Sequence, residues 1–157
     1  LFHVAEWYGY NGNPNEGIKM LASEIARGIL EIEKSMKRRV SPAGADPSIF
    51  ANSNGTSIAD EMARVGVRWE KADNARKAGW EKMRRLMKSS LKERMEEAGL
   101  FVFSTCRQFI RTVPSLPRDG RDMEDLDTTT EDHIADAARY RIMRVTSRLQ
   151  TQRIRSL

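Results

Sequence analysis

The chain has 157 residues, 31% charged and 39% hydrophobic, with a formal net charge of +5. That length allows one domain with a buried core, and no apolar run approaches the roughly 20 residues of a membrane span. One cysteine, Cys106, excludes an internal disulfide and a cysteine-rich zinc site, in keeping with a reducing compartment.

Leu1 to Tyr10 is rich in aromatic and β-branched residues and stops at the turn-forming run from Gly9 to Pro14, which predicts a strand. Glu6 lies within it, either as a solvent-facing strand residue or at the rim of a metal site. The opening Leu1-Phe2-His3-Val4 has no secretory signal and no initiating Met, and reads as part of something longer. Asn15 to Lys37 carries Ile18, Leu21, Ile25, Ile29, Ile32 and Met36 at steps of three and four, the stripe of an amphipathic helix. Val40 to Phe50 is a short strand candidate ending in Asp46-Pro47. The proline extends Asp46, so its carboxylate is expected to project from a strand end and not enter a helix cap; the plainer reading is an Asp-Pro turn.

Ser57 caps a helix over Ile58 to Val65, with Glu61 supporting the first turn and Gly66 ending it; Val67 to Trp69 returns as a brief strand. Asp73 or Asn74 starts the longest predicted helix, running to about Ala98, with Ala78, Met83, Leu86, Met87, Leu91 and Met95 inside. Arg76, Lys77, Lys82, Arg84 and Arg85 lie around the rest, as a solvated face or a phosphate-binding one. Leu100 to Ser104 reads as a strand, Arg107 to Val113 as a short helix and Pro114 to Asp127 as a loop. A last helix begins near Thr130, with hydroxyl caps at Thr128 to Thr130 and a buried face of Ile134, Ala137, Ala138 and Ile142. Asp132 and Asp136, four apart, share one side of it and repel unless a positive group stands near: a divalent cation, or an arginine. After Tyr140 the tail is basic, without an acid.

Strands alternating with helices predict an α/β chain with mainly parallel neighbours. No Gly-x-x-x-x-Gly-Lys-Ser/Thr or Gly-x-Gly-x-x-Gly motif is present, which argues against ATP and dinucleotides. His3 and His133 stand at opposite ends, and Cys106 reads as a small buried residue at a strand end. Oxygen chemistry remains: Mg²⁺ or Mn²⁺ on carboxylates, two ions about 4 Å apart, activating water and stabilising the leaving oxygen of a phosphodiester.

Five blocks, Ala45 to Phe50, Ser57 to Met62, Trp69 to Asn74 with Gly79-Trp80, Leu100 to Arg107, and Glu131 to Tyr140, resemble in the same order the C-terminal nuclease domain of tailed-bacteriophage terminase large subunits. The resemblance implies a ribonuclease H-like central mixed sheet flanked by helices, truncated at its N-terminus, over residues 1–145, with a basic tail over 146–157. It implies a Mg²⁺- or Mn²⁺-dependent endonuclease that cuts concatemeric viral DNA during packaging. The family's second acid falls on Asp46 and its third on Asp132 or Asp136; its first belongs to an earlier strand, so the fragment is expected to be weakly active or inert. The implied partners are double-stranded DNA, portal protein, terminase small subunit and the ATPase domain of the same subunit, in the host cytoplasm and without a membrane. Two alternatives stand beside it: a non-catalytic DNA- or portal-docking module, and a recombinase or resolvase preferring branched DNA.

Overall fold

A computed structural model describes residues 1–40, 42–52, 55–93 and 97–155, with side chains through residue 145. The fold is mixed α/β, with five α-helices and two small two-stranded parallel sheets among the described residues. Contacts divide it into two compact units, Leu1–Tyr8 with Ala75–Leu157, and Gly9–Asn74. No described helix is long and apolar enough to cross a membrane.

The second unit is a βαβ arrangement preceded by a helix. Helix α1, Ala22–Ser35, starts later than the apolar stripe predicts. Asn15 and Lys19 hold left-handed backbone (φ 60° and 44°), which a helix cannot continue through, and the Glu24 carboxylate accepts from the Leu21 N–H at 2.8 Å, fixing the first turn there. Lys37, at φ 50°, ends it. Strand β2, Ala43–Ala45, runs parallel to β3, Trp69–Lys71, with Ala43 opposite Trp69 and Ala45 opposite Lys71. Helix α2, Ile58–Val65, crosses between them. Its capping box uses Asp60, not Glu61: the Ser57 hydroxyl oxygen accepts from the Asp60 N–H at 3.1 Å and the Asp60 carboxylate accepts from the Ser57 N–H at 3.1 Å. Gly66, at φ 115°, supplies the left-handed stop. Ala26, Met62 and Val67 form the buried core, lined by Ile25, Ile29 and Leu30; full burial of a side chain such as Met62 contributes about 1.5–3 kcal/mol.

In the first unit, β1 is only Phe2–His3, parallel to β4, Phe101–Val102, with His3 opposite Val102. The longer strand expected over Leu1 to Tyr10 stops because the chain turns its next residues toward helix α4, Arg107–Thr112. The Glu6 carboxylate accepts the first free N–H groups of α4, from Gln108 at 2.6 Å and Phe109 at 3.2 Å. Helix α3, Arg76–Ser89, is shorter than predicted. The Ser90 hydroxyl donates to the Met87 carbonyl at 2.7 Å, competing with the helical ladder, and Leu91 beyond it is 85% exposed. The rest of the expected helix falls partly on residues 94–96, outside the described ones.

Helix α5, His133–Arg155, continues into the segment expected as a tail; the side chains beyond residue 145 lie outside the described ones. Its buried face is Ile134, Ala135, Ala138 and Ile142, packed on Trp80, Met83 and Leu86 of α3 and on Phe109 of α4. Ala137 is exposed, so Ala135 replaces it on the core side. The one central mixed sheet implied by the resemblance is not what the described strands build: each unit has its own parallel pair of two- or three-residue strands. Such short strands leave tertiary stability to helix packing.

Candidate functional site

The start of α5 is held by the loop before it. The Asp127 carboxylate accepts from the Thr129 N–H (2.9 Å) and hydroxyl (2.7 Å), and the Thr130 hydroxyl donates to the Asp127 carbonyl at 2.7 Å. The threonines therefore close an Asp-led turn instead of capping the helix, as their hydroxyls were expected to do. Glu131 is clamped by Arg111, whose two terminal nitrogens reach its oxygens at 2.9 and 2.6 Å, and it accepts from the Tyr8 hydroxyl at 2.9 Å. Hydrogen bonding from Arg111, against the cost of burial and with help from Tyr8, holds the Glu131 carboxyl below its usual range.

Asp132 follows, and its carbonyl accepts from the Asp136 N–H at 2.9 Å, so the two acids stack on one side of the first turn. The cation between them is Arg76, from the first residue of α3. Its Nε donates to both Asp125 oxygens at 3.1 and 3.2 Å, while its terminal nitrogens lie 3.8 Å from Asp132 and 3.7 Å from Asp136. The latter two distances are ion-pair contacts, too long for hydrogen bonds. Asp125 also accepts from the Trp80 indole at 2.8 Å and the Leu126 N–H at 2.8 Å. Burial opposes its ionisation, but these donors and the Arg76 charge prevail and hold its carboxyl low.

Asp136 accepts from Arg139 Nε at 3.0 Å. Arg139 is fully buried, with its guanidinium 5.1 Å from the Trp80 ring centre and 4.5 Å from that of Tyr140. Arg76 also lies over Trp80, at 5.6 Å. Gly79 makes room for the Arg139 stem, since a Cβ there would stand 2.5 Å from its Cγ.

Asp132 differs from its neighbours. It is 7% exposed, and its carboxylate accepts no hydrogen bond from any other described residue; His133 Nδ1, on a largely exposed ring, is 3.8 Å away. Burial first, and the Asp136 charge second, push its carboxyl above the usual range. A buried carboxylate with empty acceptor positions beside a second acid has the donor chemistry a hard cation requires. Among the described residues of the first unit, however, no third acid joins this pair at ligand spacing.

Glu6 is spent on the start of α4, not on the α5 acids. Asp46 has the extended backbone expected from Pro47 and follows β2, but its Oδ1 accepts from the Ser48 N–H at 2.8 Å and caps a 3-10 turn, Pro47–Phe50, contrary to the expected projection. Lys77 pairs with Asp122 and Glu124, and Arg84 contacts Glu81 at 3.8 Å and the Glu124 carbonyl at 3.4 Å. Lys82 is half-buried and Arg85 is exposed. Asp125, Trp80, Arg111, Glu131 and Arg139 were not legible as parts of a site. An Asp in a loop or an Arg on a helix has no periodic signature, although Gly79 beside Trp80 marks a close approach.

Comparison of the chain with protein-family models, with curated proteins and with solved structures finds no match.

Proposed function

We propose that the chain is the nuclease portion of a phage packaging-motor large subunit, of ribonuclease H-like ancestry, hydrolysing concatemeric double-stranded DNA with Mg²⁺ or Mn²⁺. The support is the order of the five sequence blocks together with one observation: Asp132 is buried, repelled by Asp136 and short of hydrogen-bond donors. Asp132 and Asp136 would hold the cation, joined by Asp46 as the resemblance implies; when bound, it supplies a Lewis acid for water activation and leaving-oxygen stabilisation. Of the two helix acids, Asp132 is assigned as the primary ligand, because Asp136 is already oriented by Arg139. Glu131, locked by Arg111 and Tyr8, fixes the backbone that presents Asp132. Arg76 neutralises the acids in the absence of a cation, and Lys77, Lys82, Arg84 and Arg85 on the same helix offer the phosphate backbone sequence-independent contacts. Portal protein, terminase small subunit and the ATPase domain are the partners this assignment brings, in the host cytoplasm.

A specific observation favours a second reading, that of a non-catalytic DNA- or portal-docking module: three carboxylates already share the Arg76 guanidinium. Plasmid nicking with Mn²⁺, comparing wild type with Asp46→Ala, Asp132→Ala and Asp136→Ala, separates the two. The nuclease assignment expects the aspartate variants to lose nicking; equal nicking by all four proteins removes these acids from the chemistry. Salt-dependent DNA binding without metal dependence or nicking selects the docking module.

A further inference from the structure

We propose that His3, Glu6 and Cys106 form a second cation site, suited to a borderline-soft divalent ion such as Zn²⁺ and separate from the oxygen-only acids of α5. A ring nitrogen of His3, a carboxylate oxygen of Glu6 and the Cys106 sulfur lie within 4.8 Å of one another. Tetrahedral zinc with N, O and S ligands at about 2.0–2.3 Å separates them by roughly 3.3–3.8 Å, so side-chain shifts of about 1 Å close the set. His3 Nε2 is already 3.9 Å from the nearer Glu6 oxygen.

The fold brings His3 and Cys106 together across 103 residues of the sequence. Parallel pairing sets His3 beside Val102, the Phe103 N–H donates to the His3 carbonyl at 3.0 Å, and the following turn returns Cys106, whose N–H donates to the Phe103 carbonyl at 2.9 Å. Two backbone N–H groups of α4 orient the Glu6 carboxylate, the kind of support that metal-binding carboxylates have. The Phe109 ring, 4.9 Å from that of His3, covers the site.

An ordinary core does not account for His3. Its Nε2 is shielded from solvent and has no hydrogen-bond partner. At 3.9 Å the Glu6 contact is too long to be one, and burial, outweighing the Glu6 charge, keeps the imidazole below its ordinary pKa and so neutral near pH 7. A neutral imidazole with a bare, buried nitrogen, grouped with a thiol and a carboxylate within 4.8 Å, suits metal ligation. Cys106 Sγ now donates weakly to the His3 carbonyl at 3.4 Å. Binding exchanges that S–H for a metal–sulfur bond and releases the proton to solvent, leaving the fourth position to water.

The proposal stands whether or not the chain is a nuclease. Titrating the full chain with Co²⁺ should give one equivalent with a sulfur-to-cobalt charge-transfer band, reversed by Zn²⁺. That band reports only a cysteine site, so hard cations on Asp132 do not contribute. Cys106→Ser should abolish the band, and His3→Gln and Glu6→Gln should each weaken Zn²⁺ binding at least about 10-fold, with unchanged far-ultraviolet circular dichroism. Absence of the band in folded wild type, or wild-type Zn²⁺ affinity in both the His3→Gln and Glu6→Gln variants, overturns the proposal; these two do not require the buried sulfur to be altered.

Discussion

Replacing Gly79 by alanine tests the packing that holds the α5 acids. In a solvent-facing helix position this exchange stabilises a protein by about 1 kcal/mol, because alanine is the better helix former. Here the new methyl would stand 2.5 Å from Arg139 Cγ and 2.7 Å from its Cδ, closer than non-bonded carbons approach. The Arg139 stem cannot swing away cheaply: the residue is fully buried, its head is bonded to Asp136 and lies against Trp80 and Tyr140. Overpacking of this kind costs about 1–3 kcal/mol, and displacing a buried charged hydrogen bond adds about 1.5–3 kcal/mol. After the propensity gain, the net is a loss of about 1.5–5 kcal/mol, visible in urea unfolding followed by circular dichroism. Gly120→Ala is the control, since nothing lies within 4 Å of its Cβ and it should change stability by less than about 0.5 kcal/mol. A Gly79→Ala protein as stable as wild type, or more so, would show that the Arg139 stem does not run over Gly79.

Other substitutions probe the remaining contacts. Arg76→Met leaves Asp125, Asp132 and Asp136 without their shared cation and should cost about 2–4 kcal/mol at neutral pH, somewhat discounted because the Arg76 side chain is 25% exposed. Asp125 has a depressed carboxyl pKa, so its stabilisation is present above the ordinary Asp value and is lost as pH falls through the folded value. The gap between wild type and Arg76→Met should therefore narrow on acidification in pH-dependent thermal unfolding; a gap that does not change with pH would mean that Arg76 acts by packing alone. Ser57→Ala should cost about 1 kcal/mol through the lost α2 cap, measured by urea unfolding, and no change would remove the capping box from the account of α2.

What was legible in sequence was what neighbouring residues decide. The bounds of helix α2 are read to the residue because Ser57 and Gly66 are cap and stop within one local stretch, although the acid of the capping box is Asp60 and not the expected Glu61. Helices α1 and α3 were overextended, since apolar spacing continues past Lys19 and Ser90 while the backbone there does not. All four strands were located and their parallel sense was expected, but which strand pairs with which, and in what register, is not written in local sequence, and that hid the meeting of His3 and Cys106. The pairing of Asp132 and Asp136 on one helix side was legible from their spacing, as was the need for a positive neighbour. That the neighbour is Arg76, one of the residues expected to contact DNA, was not, because only the packing of α3 on α5 brings it there.

The central claim concerns Asp132, whose carboxyl is pushed up by burial and by Asp136. A raised folded pKa is a penalty that appears as pH rises through that value, so at neutral pH Asp132→Asn should stabilise the fold, by roughly 0.5–2 kcal/mol. The decisive measurement is unfolding free energy and Mn²⁺ affinity of wild type and Asp132→Asn, side by side at pH 7. A ligand retained at the expense of stability predicts a more stable variant that has lost Mn²⁺ binding; a less stable variant that binds Mn²⁺ as well as wild type would make Asp132 a structural residue and contradict the assignment.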